Sequence, residues 1–310
     1  VPTDNVQLTS RLRQFIGRLV STQNSDGGWH WAIWRNRGGT QNTRAQRSDP
    51  ILSARHFWAL IEAEKTGVAF NRDLIDKANH YLRNALQNAA ASSTRQSDEN
   101  TAILLQALSE VSTNRSRGGI GPQTGSTDPT NFSIANRLYR NRSRLSLKAK
   151  AYTALALANM NRVEMAIQVL QLLPTVLDEV SLDLETIAIA SLAWQTVGET
   201  THQPIIDNLI QSLLSQRGTH VFWAHQDLIV ATLALYFGQT QFDTDDYQLQ
   251  ILLNGQKIQI DLKAETSPTE VNVPPALFVN DMDNSELSCR IEFRLQGQGT
   301  YTYFVKLSGF

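Results

Sequence analysis

The sequence predicts a mainly α-helical chain, an incomplete α/α toroid, followed by a small antiparallel β domain. Three observations carry this. Apolar residues recur at intervals of three and four until close to residue 242, and after that at intervals of two. Helix-length segments of similar size succeed one another across short turns, as in toroids and solenoids of paired helices. The composition shift divides the chain into a helical region, 1–241, and a β-rich region, 242–310.

Taken in order, the helical patterns cover 6–21, 51–64, 72–86, 97–111, 146–160, 164–173, 182–197, 204–215 and 225–237. In the second, Leu52, His56, Leu60 and Ala63 fall on one stripe, the spacing that buries one face of a helix. Gly67, Gly198 and Gly218 stand where helix C-termini favour glycine. Ser48-Asp49-Pro50, Ser97-Asp98-Glu99 and Ser181 with Asp183 read as helix starts. Residues 112–131 have no apolar period and are rich in glycine and proline, which predicts a long surface loop.

In the β region, Tyr247, Leu249, Ile251 and Leu253 alternate with polar residues up to Asn254-Gly255, and Ile258, Ile260 and Leu262 resume the alternation. Alternating runs around Asn-Gly predict a hairpin. Residues 287–295 and 301–307 read as two more strands around Gly297-Gln298-Gly299.

Composition excludes several classes of function. The 310 residues are 41% hydrophobic and 18% charged, with a net charge of −1, so the basic surplus that phosphate neutralisation requires is absent and nucleic acid is not an expected partner. No apolar run reaches the length of a membrane-spanning helix, so direct membrane insertion is not expected. A single cysteine, Cys289, leaves no internal disulfide and no multi-cysteine metal site. The six histidines show no ligand spacing, so neither a metal nor a cofactor is expected.

One turn carries a specific signature: Gln23-Asn24-Ser25-Asp26-Gly27-Gly28-Trp29, at the end of a helix. Gly27 and Gly28 suit a tight turn, Asp26 can accept backbone N–H bonds, and Trp29 can fold over the helix end. This Gln-x-x-Asp-Gly-x-Trp pattern resembles the repeat of the terpenoid-cyclase-like toroids, which complement and alpha-2-macroglobulin thioester domains share; 216–223 resembles a degenerate second copy. The order of the motifs beyond this turn resembles the bacterial alpha-2-macroglobulins: Ser48-Asp49-Pro50 before the helix containing Ala54-Arg55-His56, then Asn136-Arg137-Leu138-Tyr139 and Arg144-Leu145-Ser146, then Leu184-Glu185-Thr186-Ile187-Ala188, then Trp223-Ala224-His225-Gln226-Asp227. Leu253-Asn254-Gly255 and Gly299-Thr300-Tyr301-Thr302-Tyr303 resemble the β segment C-terminal to that domain. Ile187, Ala224, His225 and Leu228 depart from the family pattern.

The resemblance implies a thioester-domain-like toroid followed by the second half of a split CUB-like β domain, a fragment of a peptidase trap. The trap's partners would be peptidases and neighbouring domains of the same polypeptide. It would sit in the periplasm or cell envelope, with a lipid anchor at an N-terminus outside this chain. The family's chemistry needs Cys-x-Glu-Gln, in which a glutamine side chain acylates the cysteine sulfur. Cys289 is followed by Arg290-Ile291-Glu292 and shares an alternating run with Leu287, Ile291 and Phe293, so it is expected to be structural. The motif is either carried elsewhere in the polypeptide or naturally lost, and the fragment is expected to be no enzyme. Residues 89–97, at the turn where complement members carry an acyl-accepting histidine, contain none, which implies direct coupling to amines in the parent.

Other candidates have plainer readings beside them. Asp243-Thr244-Asp245-Asp246 matches the acid motif of class II terpene cyclases, but its place between the two regions suggests an acidic linker exposed to solvent. Trp29, Trp31 and Trp34 could form a ligand platform; packing around the turn is the default. Arg137, Arg140, Arg142, Arg144, Lys148 and Lys150 could form a partner patch or, more simply, a solvated face.

Overall fold

The structure is a computed structural model that describes residues 2–31, 47–65, 71–92, 94–118, 128–174, 182–216, 225–239, 248–254, 256–258, 279–280, 287–288 and 291–296. The chain divides into two compact units, Val1–Tyr236 and Phe237–Phe310.

The first unit is helical, and the chain is mainly α. Its helices are α1 (Pro2–Thr22), α2 (Pro50–Lys65), α3 (Arg72–Ala90), α4 (Arg95–Gly118), α5 (Pro129–Arg140), α6 (Leu147–Asn159), α7 (Val163–Leu170), α8 (Leu184–Val197), α9 (Gln203–Ser215) and α10 (Gln226–Gln239), the last crossing into the second unit. They alternate between two layers. In the inner layer α2 packs on α4, α4 on α6 and α6 on α8. The intervening helices α3, α5 and α7 each pack on the inner helices before and after them, and α9 packs on α8. Burial follows the layers. In α6 every residue from Ala151 to Ala158 is buried, and in α8 every residue from Glu185 to Gln195. Outer α3 buries one stripe, Leu74, Ile75, Ala78, Leu82 and Leu86. A helix flanked on both sides has no polar face to mark its period, and an outer helix keeps one.

Local chemistry sets the ends. Asp49 accepts from the Leu52 N–H at 2.8 Å with Pro50 as the first helical residue, and Asp183 accepts from the Thr186 N–H at 2.7 Å. The α8 helix stops at Gly198, whose φ of +74° suits glycine. The cap of α4 is Thr94, which accepts from the Ser97 N–H; Ser97, expected to form part of the start, lies one turn inside and donates its hydroxyl to the Ala89 carbonyl at 2.5 Å. The predicted loop at 112–131 is shorter: α4 continues to Gly118, and α5 begins at Pro129 behind an Asp128 cap. Apolar period reports burial rather than backbone hydrogen bonding, so a polar helix end escapes it.

The second unit contains two antiparallel sheets. In the first, β1 (Gln248–Leu253) lies between β2 (Gln256–Ile258) and β5 (Ile291–Gln296). Leu253 pairs with Gln256 across Asn254-Gly255, with Asn254 at φ +47°, as a two-residue hairpin turn requires. The second sheet pairs β3 (Val279–Asn280) with β4 (Leu287–Ser288). The run read as one strand over 287–295 is thus two, β4 in one sheet and β5 in the other. Residues 301–307 lie outside the described residues.

Candidate functional site

The repeat turn folds into one hydrogen-bonded unit. Gln23 donates from its amide to the carbonyls of Gly27 and Leu74, both at 3.0 Å, which ties the turn to α3. The Asp26 carboxylate accepts from the Gly28 N–H at 3.0 Å and the Ser48 hydroxyl at 2.7 Å. Gly27 has φ +91°, and a Cβ there would stand 2.3 Å from the Lys77 carbonyl oxygen. Trp29 is buried; its indole N–H donates to the Leu19 carbonyl at 2.8 Å and its ring meets His56 edge-on. These bonds are all internal, and the turn offers no reactive group to a ligand. Trp29 cannot share a platform with Trp31, which is 67% exposed, and Trp34 lies outside the described residues. Tyr81 donates to the Ser48 carbonyl, and burial together with Asp26 and Asp49 pushes its phenol up to about 12.

The N-terminal ends of the inner helices hold a second constellation, assembled around Glu185 in the first turn of α8. Its side chain is 4% exposed. Glu185 Oε1 accepts from Arg55 Nη2 of α2 at 2.6 Å and from the Tyr152 hydroxyl of α6 at 2.7 Å. Oε2 accepts from Lys148 Nζ at 2.7 Å. His225, immediately before α10, places Nε2 3.6 Å from Oε2 and Nδ1 3.3 Å from Arg55 Nη2. A guanidinium can only donate, so Nδ1 accepts and the ring proton lies on Nε2, facing Glu185. Burial raises the Glu185 pKa, but hydrogen bonds from Lys148 and Tyr152 and the charges of Lys148 and Arg55 outweigh it and hold the carboxyl below its ordinary range. Burial and the adjacent carboxylate push the Tyr152 phenol well up. For Arg55 and Lys148, burial is outweighed by the facing charges, and both are held more firmly protonated.

The opposite ends of the inner helices bury Glu110 of α4. Lys65 Nζ of α2 reaches it at 2.9 Å, Asn159 Nδ2 of α6 at 2.7 Å and Gln106 Nε2 of α4 itself at 3.0 Å.

Each constellation pairs a carboxylate with donors that stabilise its charge. Asp183, Asp227 and Glu99 face the cations around Glu185, so that end carries no basic surplus for an anion. Among the described residues no three His, Cys, Asp or Glu side chains are grouped to hold a metal ion, and no helix is long and apolar enough to cross a membrane. The basic run does not act as one face: Lys148 bonds Glu185, Arg137 donates to the Ala90 carbonyl, and Arg142 lies over the Tyr139 ring. Cys289 and Asp243 to Asp246 lie outside the described residues.

Glu185, Arg55, Lys148, Tyr152 and His225 carried no role in the sequence reading. The available signal was Glu185 itself, a charge on an otherwise apolar helix start, which demands partners once buried.

No protein-family model matches the chain, and no curated protein does. Solved structures do. Salmonella alpha-2-macroglobulin reacted with methylamine aligns with a TM-score of 0.51 at 17% identity, over 79% of this chain and 15% of that one. Escherichia coli alpha-2-macroglobulin in its native conformation aligns with a TM-score of 0.51 at 16% identity, with the same coverage. A point mutant of the Salmonella protein gives 0.51 at 18%. The likeness is one of fold, and the chain spans about 15% of the length of these structures.

Proposed function

We propose that this chain is the thioester-domain-like helical portion, with the β segment C-terminal to it, of a bacterial alpha-2-macroglobulin-like peptidase trap, and that it is non-catalytic on its own. The observation that carries the reading is the shared fold over 79% of the chain. The motif order supports it, because the Ser-Asp-Pro start at Pro50 and the Glu185 start open two inner helices, α2 and α8. In such a trap the helical domain holds an acyl thioester until bait cleavage exposes it, and an amine of the attacking peptidase then takes the acyl group. The 310 residues contain no Cys-x-Glu-Gln, and in this reading the acyl donor is carried by another part of the same polypeptide. The trap resides in the periplasm or cell envelope, where peptidases from outside are met.

The test has two arms. This chain, incubated with methylamine or an active peptidase, should gain no mass by intact-mass spectrometry. The full polypeptide should carry Cys-x-Glu-Gln and form a covalent peptidase adduct, lost when that cysteine is changed to alanine. The motif's absence from the 310 residues favours one rival, a thioester-less interaction scaffold. A full polypeptide without motif or adduct would leave that rival standing. Methylamine-sensitive adducts on this chain alone would overturn both.

A further inference from the structure

The partners of Glu185 come from segments far apart in the chain. The packing neighbours of α2 are α3 and α4, yet Arg55 carries α2 across to α8 and to the start of α10. Along its length α10 is held by one stripe: Leu228, Ile229 and Thr232 are buried, and the Thr232 hydroxyl approaches the Ala188 carbonyl of α8 at 3.3 Å. Leu233, Leu235 and Tyr236 pack half-buried against the same core, and Tyr236 donates to Asp207 of α9 at 2.8 Å, while Val230 is 52% exposed and Ala231 and Ala234 are exposed. The N-terminal tip of α10 is therefore attached by polar contacts at His225, and its body by an apolar seam and the Tyr236 bond. His225 also has φ +54°, in the left-handed region that is uncommon outside glycine and in which histidine, like asparagine and aspartate, is among the residues found more often. Such a residue persists where its surroundings specify it, and here Arg55 and Glu185 do so.

We infer that Glu185, through Arg55 and His225, is a latch that holds the N-terminal end of α10 against the rest of the inner layer, so that α10 is the releasable helix of the helical unit. The groups facing the latch are Arg55 from α2, Lys148 and Tyr152 from α6, Glu185 from α8 and Asp227 from α10. Local opening free energies differ among elements of one protein, and an element loosened at its end opens more readily than the rest. The latch stands on these contacts alone and does not depend on the peptidase-trap reading.

The experiment is amide hydrogen exchange read by mass spectrometry on the full 310-residue chain, comparing wild type with Glu185→Gln, Arg55→Met and His225→Gly. Glycine at 225 deletes the imidazole and suits the positive φ, so its effect is the lost side chain less the relief of the backbone. Exchange of the 226–239 amides should rise about tenfold or more in Glu185→Gln and Arg55→Met and about twofold in His225→Gly, while those of α4 and α6 hold their wild-type rates. Lys65→Met, at the opposite ends of the inner helices, should leave α10 unchanged. If Glu185→Gln does not fold, the decision rests on Arg55→Met and His225→Gly. Unchanged exchange in α10 in those two, or an equal rise in every helix, would overturn the latch.

Discussion

Glu185 and Glu110 are buried carboxylates at opposite ends of the inner helices, and their partners differ in reach. Glu110 gathers donors from α2, α4 and α6, where α2 and α6 already pack on α4. Glu185 gathers them from α6, which already packs on α8, but also from α2, whose main packing is on α3 and α4, and from the approach to α10. A buried charge costs desolvation wherever it sits, and what its partners return depends on geometry. At Glu110 the bonds reinforce an existing interface. At Glu185 they supply a connection that apolar packing does not.

The largest expected effect separates the two. Glu185→Gln leaves two cations without a carboxylate and should cost about 3 kcal/mol in urea unfolding. Glu110→Gln keeps a carbonyl for the amides of Asn159 and Gln106 and should cost only about 1 kcal/mol. Equal losses would break the comparison.

Acid sharpens it. The Glu185 pKa is lowered in the folded chain, so its contribution is present above the unfolded carboxylate value and is lost as pH falls through the folded one. The stability gap between wild type and Glu185→Gln should therefore be full near neutrality and shrink below pH ~4. A gap that stays constant would mean that the carboxylate charge contributes nothing. Lys65 and Lys148 have raised pKa values, so their contributions are full below the ordinary lysine range and fade only in strong alkali.

Removing one lysine from each end should give a smaller difference of the opposite sense. Lys148→Met leaves Glu185 with Arg55 and Tyr152 and should cost about 1 kcal/mol. Lys65→Met leaves Glu110 with the amide donors of Asn159 and Gln106 and strips Glu62 of its partner, and should cost about 2 kcal/mol. Thermal unfolding of both variants checks the order; a larger loss for Lys148→Met would mean that the Glu185 contacts do not share their load.

The fold was legible because outer helices and strands each bury one face. The stripe of α3 and the alternation of β1 follow directly from that burial. The features that escaped have a common physical reason. The end of α4 is polar, so burial leaves no period in it, and α5 (Pro129–Arg140), absent from the predicted helices, buries only Asn131, Ala135 and Leu138, too short a stripe to read. The Glu185 constellation joins positions 55, 148, 152, 185 and 225, spacings that no local pattern encodes. Lys148 was hidden within a basic run whose members go to unrelated partners, and His225 was noticed only as a departure from the family pattern. The repeat turn was legible because its motif residues, Gln23 to Trp29, are contiguous, although Ser48, Leu74 and His56, which complete it, lie farther along the chain.

The smallest expected effect belongs to His225. Its Nε2 stands 3.6 Å from Glu185, too far for a hydrogen bond, and the side chain is 32% exposed, so the contact should contribute under about 1 kcal/mol. Glycine at φ +54° relieves a left-handed backbone that costs other residues about 1 kcal/mol, which offsets part of that loss. His225→Gly should therefore leave global stability within about 0.5 kcal/mol of wild type, even where the local exchange of α10 changes. Added salt should leave the two proteins equally separated, because Glu185, buried with Tyr152, keeps its short bonds to Arg55, Tyr152 and Lys148 in both. If His225→Gly instead lowers global stability as much as Glu185→Gln, the carboxylate acts through the imidazole rather than through Arg55 and Lys148. The contrast with Glu110 would then rest on a single side chain at the start of α10.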